Sequence, residues 1–174
     1  MFLSRFLDSI TMRLDELREI TEKRAWRALA LALLKDAKPC EDAAAQFSTY
    51  WVEGGHHIRE QIEDDLVLVR LLRHILPTYE GVALTLYRGE NLGRWRAGKV
   101  GFAWTADIEV ARMFGRGLNS VCSGGVLLKG YFQQAAIIAG PNAHSAWLGE
   151  GQYTVDPLFF ENAINVEEVF PPFF

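Results

Sequence analysis

KVGFAWTADIEVARMFG, residues Lys99 to Gly115, changes its period in the middle. Its first part, Lys99–Thr105, is rich in β-branched and aromatic residues and predicts a strand. From Asp107 the spacing becomes helical, and DIEVARMFG predicts a short helix capped by Thr105 or Asp107. Asp107 and Glu109 lie near the positive end of that helix dipole, where a carboxylate is favoured. A strand that feeds directly into a short helix, with further short apolar runs around it, sets the character of the whole second half.

Those neighbouring runs are VALTLYRG (Val82–Gly89), Gly124–Gly140 as two strands or one bent strand, QYTVDPLFF, and INVEEVF (Ile164–Phe170). Glycines punctuate them. Upstream of Pro77 the pattern is different. Phe2, Phe6, Ile10, Leu14, Leu17 and Ile20 recur at three- and four-residue spacing, and the stripe continues through Trp26, Leu29, Leu33 and Leu34. A second helix is predicted over Glu41–Val52, ending at Gly54-Gly55, and a third over His56–Leu76, closed by Pro77. Helices first and strands afterwards predict an α+β fold, with a helical N-terminal region at 1–77 packed on a β-rich core at 78–174.

The 174 residues suffice for one core of ordinary size, and 49% hydrophobic with 23% charged residues is a globular composition. A net charge of −4 argues against broad electrostatic binding to nucleic acid. Cys40 and Cys122 match no zinc or redox spacing and are expected as buried or free thiols rather than a disulfide pair. The start MFLSRFLDSITMRL mixes charges into its apolar positions and does not resemble a secretory signal. The apolar run Ala28–Leu34 is far short of a membrane span, which needs about 20 residues. The expectation is a protein that stays in the cytoplasm, or one delivered into a target cell without a cleavable signal, with no membrane partner.

The strand ends carry the chemistry. The first delivers Arg88 beside Gly89, the second Trp104 and Thr105 just before the short helix, and a later one begins Glu150-Gly151-Gln152. Arginine suits phosphate because its planar fork donates paired hydrogen bonds and keeps its charge. Glycine lets a ligand approach the backbone. This order resembles the ADP-ribosyltransferase fold, in the branch marked by an arginine, a Ser-Thr-Ser strand and Glu-x-Glu. YRGE (Tyr87–Glu90) looks like the arginine strand, Phe102–Phe114 has the spacing from the triplet to a following Ala-x-x-Phe, and EGQYTVDP (Glu150–Pro157) looks like the Glu-x-Glu strand. The resemblance covers roughly Val82 to Pro157. Two positions depart from it: the triplet reads Trp104-Thr105-Ala106, and the second acidic position is Gln152.

The resemblance implies a split, mainly antiparallel sheet that binds NAD as a substrate, with no metal. It implies that Arg88 grips the phosphates, that Gly89 hydrogen-bonds the nicotinamide amide through its backbone, and that Thr105 braces the site. Arg116, in the glycine-rich loop after the short helix, is a further candidate for a phosphate, and the glycines suggest a loop that closes on a cofactor. Trp147 and Glu150 would face a macromolecular acceptor, a protein rather than a nucleic acid. The implied activity is mono-ADP-ribosyl transfer by a bacterial or phage toxin or effector, with an immunity or antitoxin protein as a further partner.

Gln152 stands where that family has its catalytic glutamate. The oxocarbenium-like transition state gathers positive charge on the ribose, which a fixed carboxylate stabilises more than the ground state. An amide still accepts a hydrogen bond but supplies no charge, so turnover is expected to be weak. Three accounts compete: a near-isosteric disarming of a toxic enzyme, a natural pseudoenzyme, or catalysis passed to Glu150. The runner-up function is a non-catalytic interaction module using the helical half and the Trp147 loop.

Each residue also has a plainer reading. Arg88 can be a surface arginine, Thr105 a helix cap, Trp104 and Phe114 core, and Glu150 a solvated charge. His56-His57 reads better as a helix start than as a metal site, since only Glu60 lies at useful spacing. His144 and Ser145 lack a third partner and a Gly-x-Ser-x-Gly turn. The tail VFPPFF (Val169–Phe174) is expected to fold back or to dock a partner. The catalytic reading requires the Arg88 guanidinium, the Thr105 hydroxyl and the Glu150/Gln152 pair to converge on one dinucleotide-sized hollow.

Overall fold

Helices α1 (Leu14–Glu22), α2 (Trp26–Leu33), α3 (Glu41–Ile62) and α4 (Asp65–Ile75) precede the first strand in the computed structural model, which describes residues 12–36 and 38–172. The expected positions Phe2, Phe6 and Ile10, and the last two residues of the tail, lie outside the described residues. Contacts divide the chain into two compact units, Met1–Thr78 and Tyr79–Phe174.

In the helical unit the stripe from Leu14 to Leu34 is two helices rather than one, broken where Arg24 takes a left-handed φ of 51°. Trp26 is fully buried there, and its Nε1 donates to Thr21 Oγ1 at 2.7 Å. Its ring stacks on Tyr50, whose hydroxyl meets the same Thr21 oxygen at 2.5 Å. The second difference is at Gly54-Gly55, where α3 runs straight through the expected stop. A Cβ on Gly54 would lie 2.9 Å from the Tyr50 ring, and one on Gly55 3.0 Å from the Trp51 ring. The glycines therefore make room for rings one turn earlier. The actual break is at Glu63, with φ 56°, after which Asp64 caps α4 by accepting from the Leu66 and Val67 N–H groups.

The second unit contains β1 (Leu84–Asn91), α5 (Leu92–Arg96), β2 (Ala103–Thr105), α6 (Ile108–Arg116), β3 (Gly125–Phe132), β4 (Ile137–Ala139), α7 (Ala143–Trp147), β5 (Gln152–Val155) and β6 (Ile164–Phe170). The fold is α+β. The strands form one six-stranded sheet in the order β4-β5-β2-β1-β3-β6, and each neighbouring pair is antiparallel. β1 pairs with β3 along all eight of its residues, but with β2 only at Tyr87–Thr105. The sheet is thus continuous, yet its two three-stranded halves meet at a single registered pair. One face buries Leu86, Trp104, Val126, Leu128, Phe132 and Val155; on the other, Ala111 of α6 packs with Leu127 and Phe170.

The predicted strand at Lys99–Thr105 shortens to its last three residues. Gly98 turns the chain with φ 68°, and the Gly101 N–H goes to the Glu90 carboxylate at 2.9 Å rather than to a ladder. QYTVDPLFF also shortens, because Asp156 accepts from Leu158 N–H and opens a 3-10 turn at Pro157. Gly89, Gly115 and Gly125 meet where α6 crosses β1 and β3. A Cβ on Gly89 would lie 2.2 Å from the Ala111 carbonyl, and one on Gly125 1.7 Å from that of Gly115.

Candidate functional site

Thr105 is the register partner of Tyr87 on one side and of Gln152 on the other. Opposite residues of antiparallel strands share a face, so Tyr87, Thr105 and Gln152 form one row across β1, β2 and β5. Thr105 is buried, and its Oγ1 accepts from the Asp107 N–H at 3.1 Å. Asp107, not Thr105, caps α6, its Oδ1 taking the N–H groups of Glu109 and Val110. Gln152 is half-buried at the first position of β5, and among the described residues none hydrogen-bonds its side chain.

The turn into β5 explains the spacing of Glu150 and Gln152. Ser145, buried in α7, accepts at its carbonyl from both Glu150 N–H (2.9 Å) and Gly151 N–H (3.2 Å). Gly149 and Gly151 flank Glu150 with φ of 74° and 51°, conformations that glycine adopts without strain. Glu150 is therefore held at the mouth of the strand. Burial pushes its carboxyl up, and the nearby His144 draws it partly back. Trp147 is 79% exposed, its ring lying nearly parallel to that of His144, with centroids 6.0 Å apart.

Arg88 lies elsewhere. It follows Tyr87 on β1 and so projects from the opposite face, among Leu86, Leu128 and Trp104. Its Nε donates to Glu90 Oε2 at 2.8 Å and its Nη1 to the Ala103 carbonyl at 2.6 Å. Glu90 is 1% exposed and also accepts from the N–H groups of Asn91 and Gly101. Burial works against its ionisation, but the Arg88 charge and those N–H groups outweigh it and hold the carboxyl below the usual carboxylate range. Arg88 and Glu90 thus satisfy, with side chains, backbone groups of the 101–103 segment that a longer β1–β2 ladder would pair.

Gly89 is covered by α6, and its carbonyl accepts from Asn119 Nδ2 at 2.7 Å. Arg116 is directed to the far edge of the sheet, where it meets Glu168 at 3.6 Å and lies over the Phe170 ring. The loop after it is tied down: Asn91 Nδ2 donates to the carbonyls of Asn119 and Val121, and Ser120 Oγ to those of Arg116 and Gly117. The structure therefore brings Thr105, Gln152 and the Glu150 turn together. It does not bring the Arg88 guanidinium or Arg116 into that row. The strand predicted over Val82–Gly89 stops short of Glu90 and Asn91, to which the sequence assigned no role; β1 runs on to Asn91. Among the described residues no group of three or more His, Cys, Asp or Glu is arranged to hold a metal ion, and no helix is long and apolar enough to cross a membrane. Compared with protein-family models, with curated proteins and with solved structures, the chain matches none.

Proposed function

We propose that this chain is built for mono-ADP-ribosyl transfer from NAD to a macromolecular acceptor, with turnover held down by Gln152. The observation that carries the reading is strand adjacency. The three segments that carry the resemblance, dispersed between Tyr87 and Pro157, lie on consecutive neighbours β1, β2 and β5, and Thr105 faces Gln152 across one register pair. The support is this order and register alone: Arg88 projects from the face opposite Thr105, so the expected convergence of all these side chains on one hollow is not met, and a phosphate grip by Arg88 forms no part of the proposal.

On this reading the bond between nicotinamide and the ribose anomeric carbon breaks while an acceptor nucleophile bonds to that carbon. Nicotinamide leaves and the acceptor loses its proton. The nicotinamide carboxamide has to displace the Asn119 carboxamide from the Gly89 carbonyl. Gln152 accepts from a ribose hydroxyl but supplies no charge, and loss of one well-placed electrostatic partner costs about 3–4 kcal/mol, or two to three decades in rate. Trp147 and Glu150 form the acceptor side, and the net charge of −4 favours a protein acceptor. An effector or toxin of bacterial or phage origin fits this design. Gln152→Glu is the test: NAD consumption in the presence of cell lysate is expected to rise by about two to three decades. Consumption that stays at background overturns the reading.

The exposure of Trp147 favours a second reading, a non-catalytic module that holds a protein partner through this turn. NAD well above its dissociation constant raises the melting temperature under the first reading and leaves it unchanged under the second.

A further inference from the structure

The segment RWRAGK, Arg94–Lys99, holds three cations and no acid, in a chain whose net charge is −4. It closes α5 and leads toward β2. Its backbone is fixed from both ends. Asn91 caps α5 by accepting from the Gly93 and Arg94 N–H groups, and Trp95 packs against the sheet core that includes Leu86 and Trp104. The Ala97 N–H donates to the Gly93 carbonyl at 3.1 Å, and the Gly98 N–H to the Trp95 carbonyl at 3.0 Å. The Lys99 N–H then donates to the Arg94 carbonyl at 2.9 Å, and Arg94 Nη2 returns a bond to the Lys99 carbonyl at 3.2 Å. Gly98 makes the reversal with its φ of 68°, and a Cβ there would point into open space.

We propose that this turn is a docking surface for a short acidic segment of a partner protein. Arg96 and Lys99 are exposed, and among the described residues no carboxylate pairs with either. Arg94 is 51% exposed and shares the Glu90 carboxylate with Arg88, two guanidiniums on one negative charge. A guanidinium fork suits a carboxylate, and a lysine beside it adds a point charge. Exposed ion pairs are weak one by one, partly because flexible side chains must be ordered for each. Here the backbone that carries them is already ordered, which lowers the cost of binding. A nucleic acid extends its charge far beyond one turn, where the acidic remainder of the chain repels it. A short run of Asp or Glu matches the size of the patch. The surface needs no nucleotide, so it stands whether or not the chain binds NAD.

The alternative is a charge run that only faces water, and the chain contains a matched control for it. Lys35 and Lys38 are exposed at the same spacing as Arg96 and Lys99, but with Asp36 between them. The experiment titrates the full chain with a fluorescently labelled oligoglutamate peptide and reads anisotropy at low and at raised salt. The unmodified chain is expected to bind, with affinity falling as salt rises. Arg96→Glu/Lys99→Glu is expected to weaken binding about tenfold or more. Lys35→Glu/Lys38→Glu changes the net charge by the same amount and is expected to leave binding unchanged. All four side chains are exposed, so neither double variant disturbs a core. No binding by the unmodified chain overturns the proposal. Equal losses in the two double variants overturn it as well, since net charge and not the turn is then responsible. Tighter binding of a labelled oligothymidylate of equal charge overturns the choice of a protein partner.

Discussion

Strands β1, β3 and β6 pair over most of their lengths, with every residue of β1 matched on β3 and a single irregularity between β3 and β6. Strands β4, β5 and β2 pair through two or three residues each, with a register shift between β4 and β5. The first half is held by its ladder. The second borrows side chains: Arg88 for the Ala103 carbonyl, Glu90 for the Gly101 N–H, and Trp104 Nε1 for the Gly101 carbonyl. A backbone without a ladder must still satisfy its polar groups, and the residues that do this become as important as the core. Thr105 and Gln152 lie on the side-chain-held half. There, loop and strand geometry is set by particular residues and is free to vary with function.

The sharpest way to break this comparison is to remove one borrowed side chain. Glu90→Ala leaves the Arg88 guanidinium, 16% exposed, without its carboxylate, and strips a partner from Gly101 and Asn91 N–H groups. Breaking a buried pair from one side costs about 3–5 kcal/mol. Urea denaturation is expected to show that loss. A loss below about 1 kcal/mol, the range of exposed pairs, would mean that the junction is not held this way.

The ladder half should instead be sensitive to backbone spacing. Gly89→Ala adds a methyl 2.2 Å from the Ala111 carbonyl and the Gly115 nitrogen, both backbone atoms of α6. α6 has to move off the sheet, and overpacking of this kind costs about 1–3 kcal/mol. The same denaturation experiment measures it. A neutral outcome would show that α6 is not seated on β1 as described.

Buried Glu90 and half-buried Glu150 should respond to pH with opposite signs. The folded pKa of Glu90 lies below its unfolded value, so its stabilisation is present above the unfolded pKa and is lost as pH falls through the folded one. That of Glu150 is raised by burial, so its contribution is present below the unfolded pKa and is lost as pH rises through the folded one. Glu90→Gln is expected to flatten the acid limb of the stability curve. Glu150→Gln is expected to remove a loss that grows toward neutral pH. Urea midpoints across the acid range check both, and equal signs for the two would contradict the assignment of their environments.

Much of this architecture could be read from local pattern. The change from helical to strand spacing near Pro77, the cap-bearing Asp107 and the strand run Ile164–Phe170 depend on neighbours in sequence. The rest needed register. Nothing local tells that Arg88 and Thr105 lie on opposite faces, because that follows from Tyr87 pairing with Thr105. Nor does local pattern show that Glu90 serves Gly101, eleven residues on. Gly54-Gly55 misled for the converse reason: a stop signal by propensity was overridden by the Tyr50 and Trp51 rings lying over it.

The smallest effect uses the same chemistry as the largest on the other half of the sheet. Lys129 on β3 and Glu167 on β6 approach to 3.9 Å, with side chains 43% and 38% exposed. Their strands are already joined by backbone pairs on either side, Leu128–Val166 and Lys129–Asn165. Neither side chain carries a buried backbone group, and water screens the pair. Lys129→Ala is expected to change stability by about 0–1 kcal/mol, and added salt should shrink even that. An ion pair matters here through what it replaces: at Glu90 it stands in for a missing ladder, and at Lys129 the ladder is present. A Lys129→Ala loss comparable to that of Glu90→Ala would remove the distinction between the two halves.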